Sequence, residues 1–129
     1  MQNCGQDSES SKIYVFGGDQ MNNKSSEFYN PSTDCWSVMS STEEKREFAG
    51  AIVFRDRILV IGGCYLLGSK LVPLNSMEMF IPKLNIWSTT PTKMKVQRWS
   101  HGLALLDNNI YVTGGFNGMF GSSISFHLK

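Results

Sequence analysis

Arg46-Glu-Phe-Ala-Gly-Ala-Ile-Val-Phe-Arg-Asp-Arg-Ile-Leu-Val-Ile-Gly-Gly63 lies without a gap over Arg98-Trp-Ser-His-Gly-Leu-Ala-Leu-Leu-Asp-Asn-Asn-Ile-Tyr-Val-Thr-Gly-Gly115, 18 residues on 18. An Arg, a nearby aromatic, a Gly four residues on, two apolar runs and a closing Gly-Gly coincide. Repetition on this scale means several copies of one small unit, and it places function on surfaces that neighbouring copies build together. Within the unit, the apolar run Ala51–Phe54 (or Leu103–Leu106) is followed by a polar break, Arg55-Asp56-Arg57 (or Asp107-Asn108-Asn109), and then by a second run, Ile58–Ile61 (or Ile110–Thr113). Short runs rich in β-branched residues, with Asp/Asn turn chemistry between them, predict a β-hairpin. Neither run alternates polar with apolar, so both faces of each strand are expected to be buried. The Gly-Gly suits a sharp turn or a close approach of another backbone.

A second signature recurs downstream. Tyr29-Asn-Pro-Ser-Thr-Asp-Cys-Trp36 and Phe80-Ile-Pro-Lys-Leu-Asn-Ile-Trp87 each place a Pro two residues after an aromatic and a Trp seven after it. The Pro ends one strand and opens a turn, and the Trp begins the next strand. Each unit thus carries four short antiparallel strands. The pairs Gly17/Gly18, Gly62/Gly63 and Gly114/Gly115 recur at intervals of 45 and 52 residues, the longer one reflecting extra residues in the loop after Gly63. This spacing fits a four-stranded propeller blade.

With these residues in view, the units resemble kelch repeats, whose marks are a double glycine closing the second strand and an aromatic–Pro…Trp element in the third and fourth. The likeness runs over residues 12 to 129, with Phe80 in place of the usual Tyr and no Trp in the third unit. The resemblance implies an all-β fold: a partial kelch β-propeller of two and a half to three four-stranded antiparallel blades, with strands in the order 3+4+3 and a ring that this chain alone does not close. Residues 1–11 are read as a polar segment, 12–40 as a first blade without its innermost strand, 46–90 as a complete blade and 98–129 as a third blade ending before its Trp strand. A ring needs about four to eight blades, so the chain is expected to be a fragment, a shortened isoform or an incomplete gene product, prone to self-association through open blade faces.

Composition narrows the function. A formal net charge of +1 gives no field to gather nucleic acid or anionic lipid, and Lys93–Lys95 with Arg98 reads as solvated loop. No membrane-spanning run and no signal peptide are legible, so a cytoplasmic protein that binds neither nucleic acid nor membrane is expected. Cys4, Cys35 and Cys64 are odd in number and lack a CxxC pair, which suggests neither a disulfide framework nor a zinc site. Cys35 reads as a small hydrophobe, and Cys64 as the opening of an exposed loop, with redox sensing as its alternative role. His101 stands in an apolar strand and reads as a packed residue; no second His lies at metal-ligand spacing. Glu43-Glu44, followed by Lys45-Arg46, reads as a solvated charge cluster, not a carboxylate pair for catalysis. No catalytic residue, metal ligand or cofactor is assigned, although some kelch-like propellers, the copper radical oxidases among them, are enzymes.

Gly17, Gly18, Gly62, Gly63, Gly114 and Gly115 are assigned to shaping the backbone, and Tyr29, Trp36, Phe80 and Trp87 to packing between blades. Arg46 and Arg98 repeat at one template position, where a structural role bonding carbonyls is preferred to a ligand role. Loops after the second and fourth strands of a blade emerge on one face. On that face the candidates for partner binding are Asn22, Asn23, Lys24, Glu43, Glu44, Lys45, Tyr65, Lys70, Phe116, Asn117 and Phe120, a mixture of charge and aromatics suited to a protein interface. The competing reading has Leu66, Leu67, Leu71 and Val72 merely folding over a neighbouring blade. The resemblance implies a non-catalytic protein-interaction module. Many relatives carry BTB and BACK regions and present substrates to a cullin-3 ubiquitin ligase, while others bind actin or scaffold complexes; this chain shows no BTB or BACK sequence. The rival readings are a kelch-fold enzyme acting on sugars and a truncated isoform without independent function.

Overall fold

The computed structural model describes residues 11–18, 25–118 and 126–128, and every regular element among them is a β-strand. Three antiparallel sheets follow one another along the chain. The first contains β1 (Ile13–Phe16), β2 (Ser26–Asn30) and β3 (Cys35–Val38). The second contains β4 (Gly50–Phe54), β5 (Arg57–Ile61), β8 (Met77–Ile81) and β9 (Ile86–Thr89). Between β5 and β8 the chain makes a separate hairpin of β6 (Cys64–Leu67) and β7 (Lys70–Pro73). The third sheet contains β10 (Gly102–Leu106), β11 (Asn109–Thr113) and β12 (Phe126–Leu128). The strand order is thus three, four and three, and the chain forms part of a propeller.

Local chemistry explains the regularity. In the third sheet, Leu106 pairs with Asn109 across the two-residue turn Asp107-Asn108, and both turn residues have positive φ. Asx residues tolerate that region, and the resulting turn has the twist that antiparallel strands need. The three double glycines repeat one geometry, with φ of 71° and 88°, 63° and 92°, and 69° and 86°. In the middle pair, a Cβ on Gly62 would lie 2.6 Å from the Arg98 carbonyl oxygen, and one on Gly63 would lie 2.7 Å from that of Glu47. The glycines therefore serve both purposes that the sequence suggested, a left-handed backbone and a close approach of another chain segment.

Two hydrophobic layers hold the blades together. Between the first and second blades, Met39, Ile58 and Phe80 are buried, with Tyr14, Phe16, Phe28 and Trp87 packed around them. The Trp87 ring stands edge-on to Phe16 at 5.2 Å, and its indole N–H donates to the Ser40 carbonyl at 2.7 Å. Between the second and third blades lie Leu59, Ile61, Met77, Met94, Ile110 and Val112. Central strand β5, flanked in its sheet by β4 and β8, is buried from Ile58 through Ile61 on both faces.

Three expectations are corrected here. The first apolar run is not buried on both faces: in β4, Ala51 and Val53 are exposed while Ile52 and Phe54 turn inward. Among the described residues the first sheet begins at β1, and no strand of it stands opposite that side of β4. Trp36 does not pack between blades and is 56% exposed. Among the described residues it stacks on its cross-strand partner Tyr29 alone, at 5.3 Å, and no further sheet covers that side. Cys35 is disulfide-bonded, not a plain hydrophobe.

Candidate interaction face

The loop that leads from β3 of the first blade into β4 of the second is organised by one buried ion pair. Glu78 sits in β8 between two methionines and is 1% exposed; Arg46 is 3% exposed. A buried carboxylate is costly unless paired and hydrogen-bonded. Arg46 Nε donates to Glu78 Oε2 at 2.8 Å, Nη1 to the carbonyls of Gly62 (2.8 Å) and Ser76 (3.1 Å), and Nη2 to Glu44 Oε2 (2.7 Å) and Ser76 Oγ (2.9 Å). The Glu43 amide donates to Glu78 Oε1 at 2.6 Å. All the nitrogens of Arg46 are thus engaged within the fold, which fits a structural role. In the next blade Arg98 Nη1 donates to the Gly114 carbonyl at 2.7 Å, 16 residues away, as Gly62 is from Arg46. Each Arg ties the loop that opens its blade to the glycine turn that closes the second strand.

Backbone hydrogen bonds then draw four loop segments to one edge of the blades. Glu47 and Cys64 exchange both their backbone bonds, at 2.7 and 2.9 Å. The Arg98 amide donates to the Leu74 carbonyl (3.1 Å), and the Gly63 amide to the Arg98 carbonyl (2.9 Å). The Ser100 amide donates to the Phe48 carbonyl (2.9 Å), while Trp99 and Phe116 bond one another reciprocally at 3.0 Å. From this stitched edge projects the β6–β7 hairpin, turned at Gly68-Ser69. The extra residues after Gly63 form this hairpin instead of a plain loop. Leu66 and Leu67 are 55% and 64% exposed, and Leu71 is exposed too, so they do not fold over a neighbouring blade.

Of the residues proposed for partner binding, Glu43, Glu44, Lys45, Lys70, Phe116 and Asn117 are exposed on these segments, and Tyr65 is half-buried. Asn22, Asn23, Lys24 and Phe120 lie outside the described residues. Glu43 and Glu44 are tied to the Arg46–Glu78 pair and so are less free than a solvated charge cluster. Phe48, 62% exposed beside the hairpin, was not singled out from the sequence, and neither was Glu78. A signal for Glu78 existed, since a Glu flanked by apolar residues in a strand calls for a nearby cation.

Among the described residues no group of three or more His, Cys, Asp or Glu could hold a metal ion. Cys64 is fully buried, and burial first, then the charge of Glu47, push its thiol pKa up. That disfavours the reactive thiolate and corrects the expectation of an exposed cysteine. His101 is packed against the glycine edges: a Cβ at Gly50 or at Gly62 would lie 2.9 Å from its ring. Its ring nitrogens lie near the Arg98 and Ile61 carbonyls without reaching hydrogen-bonding geometry. Desolvation, helped by the Arg98 charge, lowers its pKa below the ordinary value of 6.5. Below pH of about 6.5 the unfolded chain takes up a proton that the folded chain resists, so this contribution to stability is present at higher pH and is lost on acidification. The melting temperature is expected to fall between pH 7.5 and pH 5.5, and to fall less in His101→Gln; an equal fall in both would remove the histidine from the explanation.

The kelch motif family matches residues 45–94, the second blade with its flanking loops. Kelch-like protein 33 of Homo sapiens is 26% identical over 113 residues, which cover 84% of this chain and 20% of that protein. Kelch-like protein 7 of Rattus norvegicus is 32% identical over 95 residues, covering 74% of this chain and 15% of its own length. Spermatocyte protein spe-26 of Caenorhabditis elegans is 30% identical over 112 residues, 82% of this chain and 20% of that one. The chain therefore spans a fifth or less of the length of these curated relatives. Among solved structures, YjhT superposes with a TM-score of 0.73 at 18% identity over 83% of this chain and 32% of YjhT, a likeness of fold. Repeated double glycines of one geometry, aromatic–Trp pairs across adjacent strands and the family match agree: the chain belongs to the kelch-repeat β-propeller family and folds as a partial propeller.

Proposed function

We propose that this chain is a non-catalytic protein-interaction module that binds its partner through the edge carrying the β6–β7 hairpin. The observation that supports this reading most is the exposure of Leu66, Leu67 and Leu71 on the hairpin, with Phe48, Phe116, Glu43, Glu44, Lys45 and Lys70 exposed on the same set of loop segments. Apolar anchors inside a charged rim are the usual anatomy of a protein interface, and four segments joined by backbone hydrogen bonds hold them in a fixed relation. Burying two leucines and an aromatic at an interface is worth several kcal/mol, and each 1.4 kcal/mol is about tenfold in affinity. Capture of specific partners from cells is expected to drop about tenfold or more for Leu66→Ser/Leu67→Ser, with an unchanged melting temperature, since neither side chain enters the core. Full retention of the same partners by that variant would move the site elsewhere.

The finer reading is that these blades are the substrate-recognition part of a BTB-kelch adaptor for a cullin-3 ubiquitin ligase. It draws on the kelch-like relatives and on the family resemblance. In it, cullin-3 is recruited by regions beyond these residues. Purified cullin-3 is then expected to bind a longer protein containing these blades together with a BTB region, and to ignore the 129-residue chain. Binding of cullin-3 to the short chain itself would contradict it.

A further inference from the structure

The β6–β7 hairpin is a two-stranded sheet whose edges differ. Cys64, the first residue of β6, exchanges both of its backbone bonds with Glu47, on the side away from β7. Backbone groups along an antiparallel strand point to alternate sides. Tyr65 and Leu67 therefore face their partners Val72 and Lys70, while Leu66 and Leu71 direct their N–H and C=O groups outward. The Leu74 amide, which donates to the Gly63 carbonyl at 2.8 Å, keeps the same alternation. The outer edge of β6 is thus already engaged at Cys64. That of β7 offers the Leu71 N–H and C=O and the Pro73 C=O, and among the described residues no strand pairs with it. A two-stranded hairpin is marginally stable alone, and a third strand adds stability as well as contacts.

The two edges also differ in charge. Glu47 is joined to β6, and Glu43 and Glu44 precede it in the same loop, with Lys45 between. On the other side, Lys70 is the first residue of β7. The Met94 amide donates to the Asn75 carbonyl at 2.9 Å, and the Arg98 amide to that of Leu74 at 3.1 Å. These bonds tie the loop that carries Lys93 and Lys95 to the residues just after β7. Lys70, Lys93 and Lys95 are all exposed, so β7 has cations toward each end. Lysine and proline on an edge strand disfavour pairing with a neutral strand. A second copy fares no better, since two β7 edges side by side would bring like charges together. The same lysines favour a segment that carries carboxylates. On the faces of the hairpin, Leu71 stands beside Leu66 on one side, and Lys70 and Val72 turn to the other.

We propose that the open edge of β7 takes an extended, acidic segment of the partner protein as an added antiparallel strand. Apolar residues of that segment stand opposite Val72 and Leu71, and a carboxylate follows opposite Lys70. Further carboxylates at its other end reach toward Lys93 and Lys95. Strand addition supplies main-chain hydrogen bonds, while the leucines and lysines select the sequence. The proposal rests on the reading of the hairpin as the binding site, and adds to it the partner's conformation and charge.

The probe is a synthetic peptide, Glu-Glu-Thr-Val-Leu-Glu-Thr, blocked at both ends and labelled. It would be titrated with the isotope-enriched 129-residue chain, with binding followed by anisotropy and by amide NMR shifts. Saturable binding is expected, with shifts at Leu71 and Val72. Binding should weaken at least about tenfold when the peptide's glutamates become lysines. It should weaken as much when the peptide's Leu amide is N-methylated, which keeps charge and side chains but removes the donor to the Leu71 carbonyl. In the chain, Lys70→Glu should cost the same tenfold. Leu71→Pro removes an N–H that β6 does not use, and is a second variant in case the first fails to fold. No binding, equal binding of the lysine peptide, or equal binding of the N-methylated peptide would each overturn the proposal. So would a dimer of the chain that Leu71→Pro dissolves, which would give the edge to a second copy. A peptide that fails, with partner capture lost in Leu66→Ser/Leu67→Ser, would sink this proposal and leave the hairpin reading standing. Capture retained in that variant would overturn both.

Discussion

Arg46→Ala is expected to cost about 3–5 kcal/mol of folding stability, a large part of the roughly 5–15 kcal/mol that holds a domain folded. The reason is what the substitution leaves behind. Glu78 stays 1% exposed with its charge uncompensated, and the Gly62 and Ser76 carbonyls each lose a donor. Urea denaturation followed by circular dichroism would read the loss. Arg46→Lys should recover only part of it, because an ammonium cannot span Glu78, two carbonyls and Glu44 at once. Arg46→Met combined with Glu78→Met should be milder than Arg46→Ala alone, since removing both charges removes the buried orphan. A cost for Arg46→Ala under about 1 kcal/mol is what an exposed ion pair gives, and would mean that the pair is not buried in solution.

The second large effect comes from a pair of glycines with nearly the same backbone. Gly62 has φ of 63° and Gly68 of 62°. Alanine at either must adopt a left-handed conformation, which costs about 1–2 kcal/mol. At Gly68 nothing lies within 4 Å of the added methyl group, so the conformational term stands alone. At Gly62 the methyl would lie 2.6 Å from the Arg98 carbonyl oxygen and 2.7 Å from Met94 Cε. The carbonyl cannot yield easily, because it accepts the Gly63 amide at 2.9 Å. Gly62→Ala is therefore expected to lose several kcal/mol, adding overpacking of about 1–3 kcal/mol to the conformational cost. Thermal melts of both variants test this. Equal losses would show that the second strand and the following blade do not approach as closely as described.

These residues also show how much the sequence made legible. The gapless match of 46–63 on 98–115 was enough for blade architecture, because each matched position meets the same demand in each copy. Strand order followed, along with the glycine turns and a structural Arg. The failures have one physical source, which is that a repeat defines a unit but not what lies against it. Trp36 and Trp87 occupy one template position, yet Trp87 is covered by Phe16 while Trp36 faces outward. Val53 belongs to an unbroken apolar run and is 61% exposed for the same reason. The insertion after Gly63 has no counterpart in the other units, and its Tyr-Leu-Leu and Leu-Val runs do not announce whether they pack or project. Cys64 was misjudged because its exposure depends on the bridge to Glu47, a contact between blade segments that no local pattern encodes.

Native-state amide hydrogen exchange tests the partial propeller most directly. Strands β5 and β8 are paired on both edges and lie within the layers that join the blades. Their amides, those of Leu59, Val60, Met79 and Phe80 in particular, should open only by global unfolding. The amides of Leu66 and Leu71 in the projecting hairpin should exchange through local opening. The expected result is protection in β5 and β8 greater than in the hairpin by about a thousandfold or more, the ratio that roughly 4 kcal/mol supplies. Equal protection in the two, or slowest exchange in the hairpin, would contradict the blade arrangement.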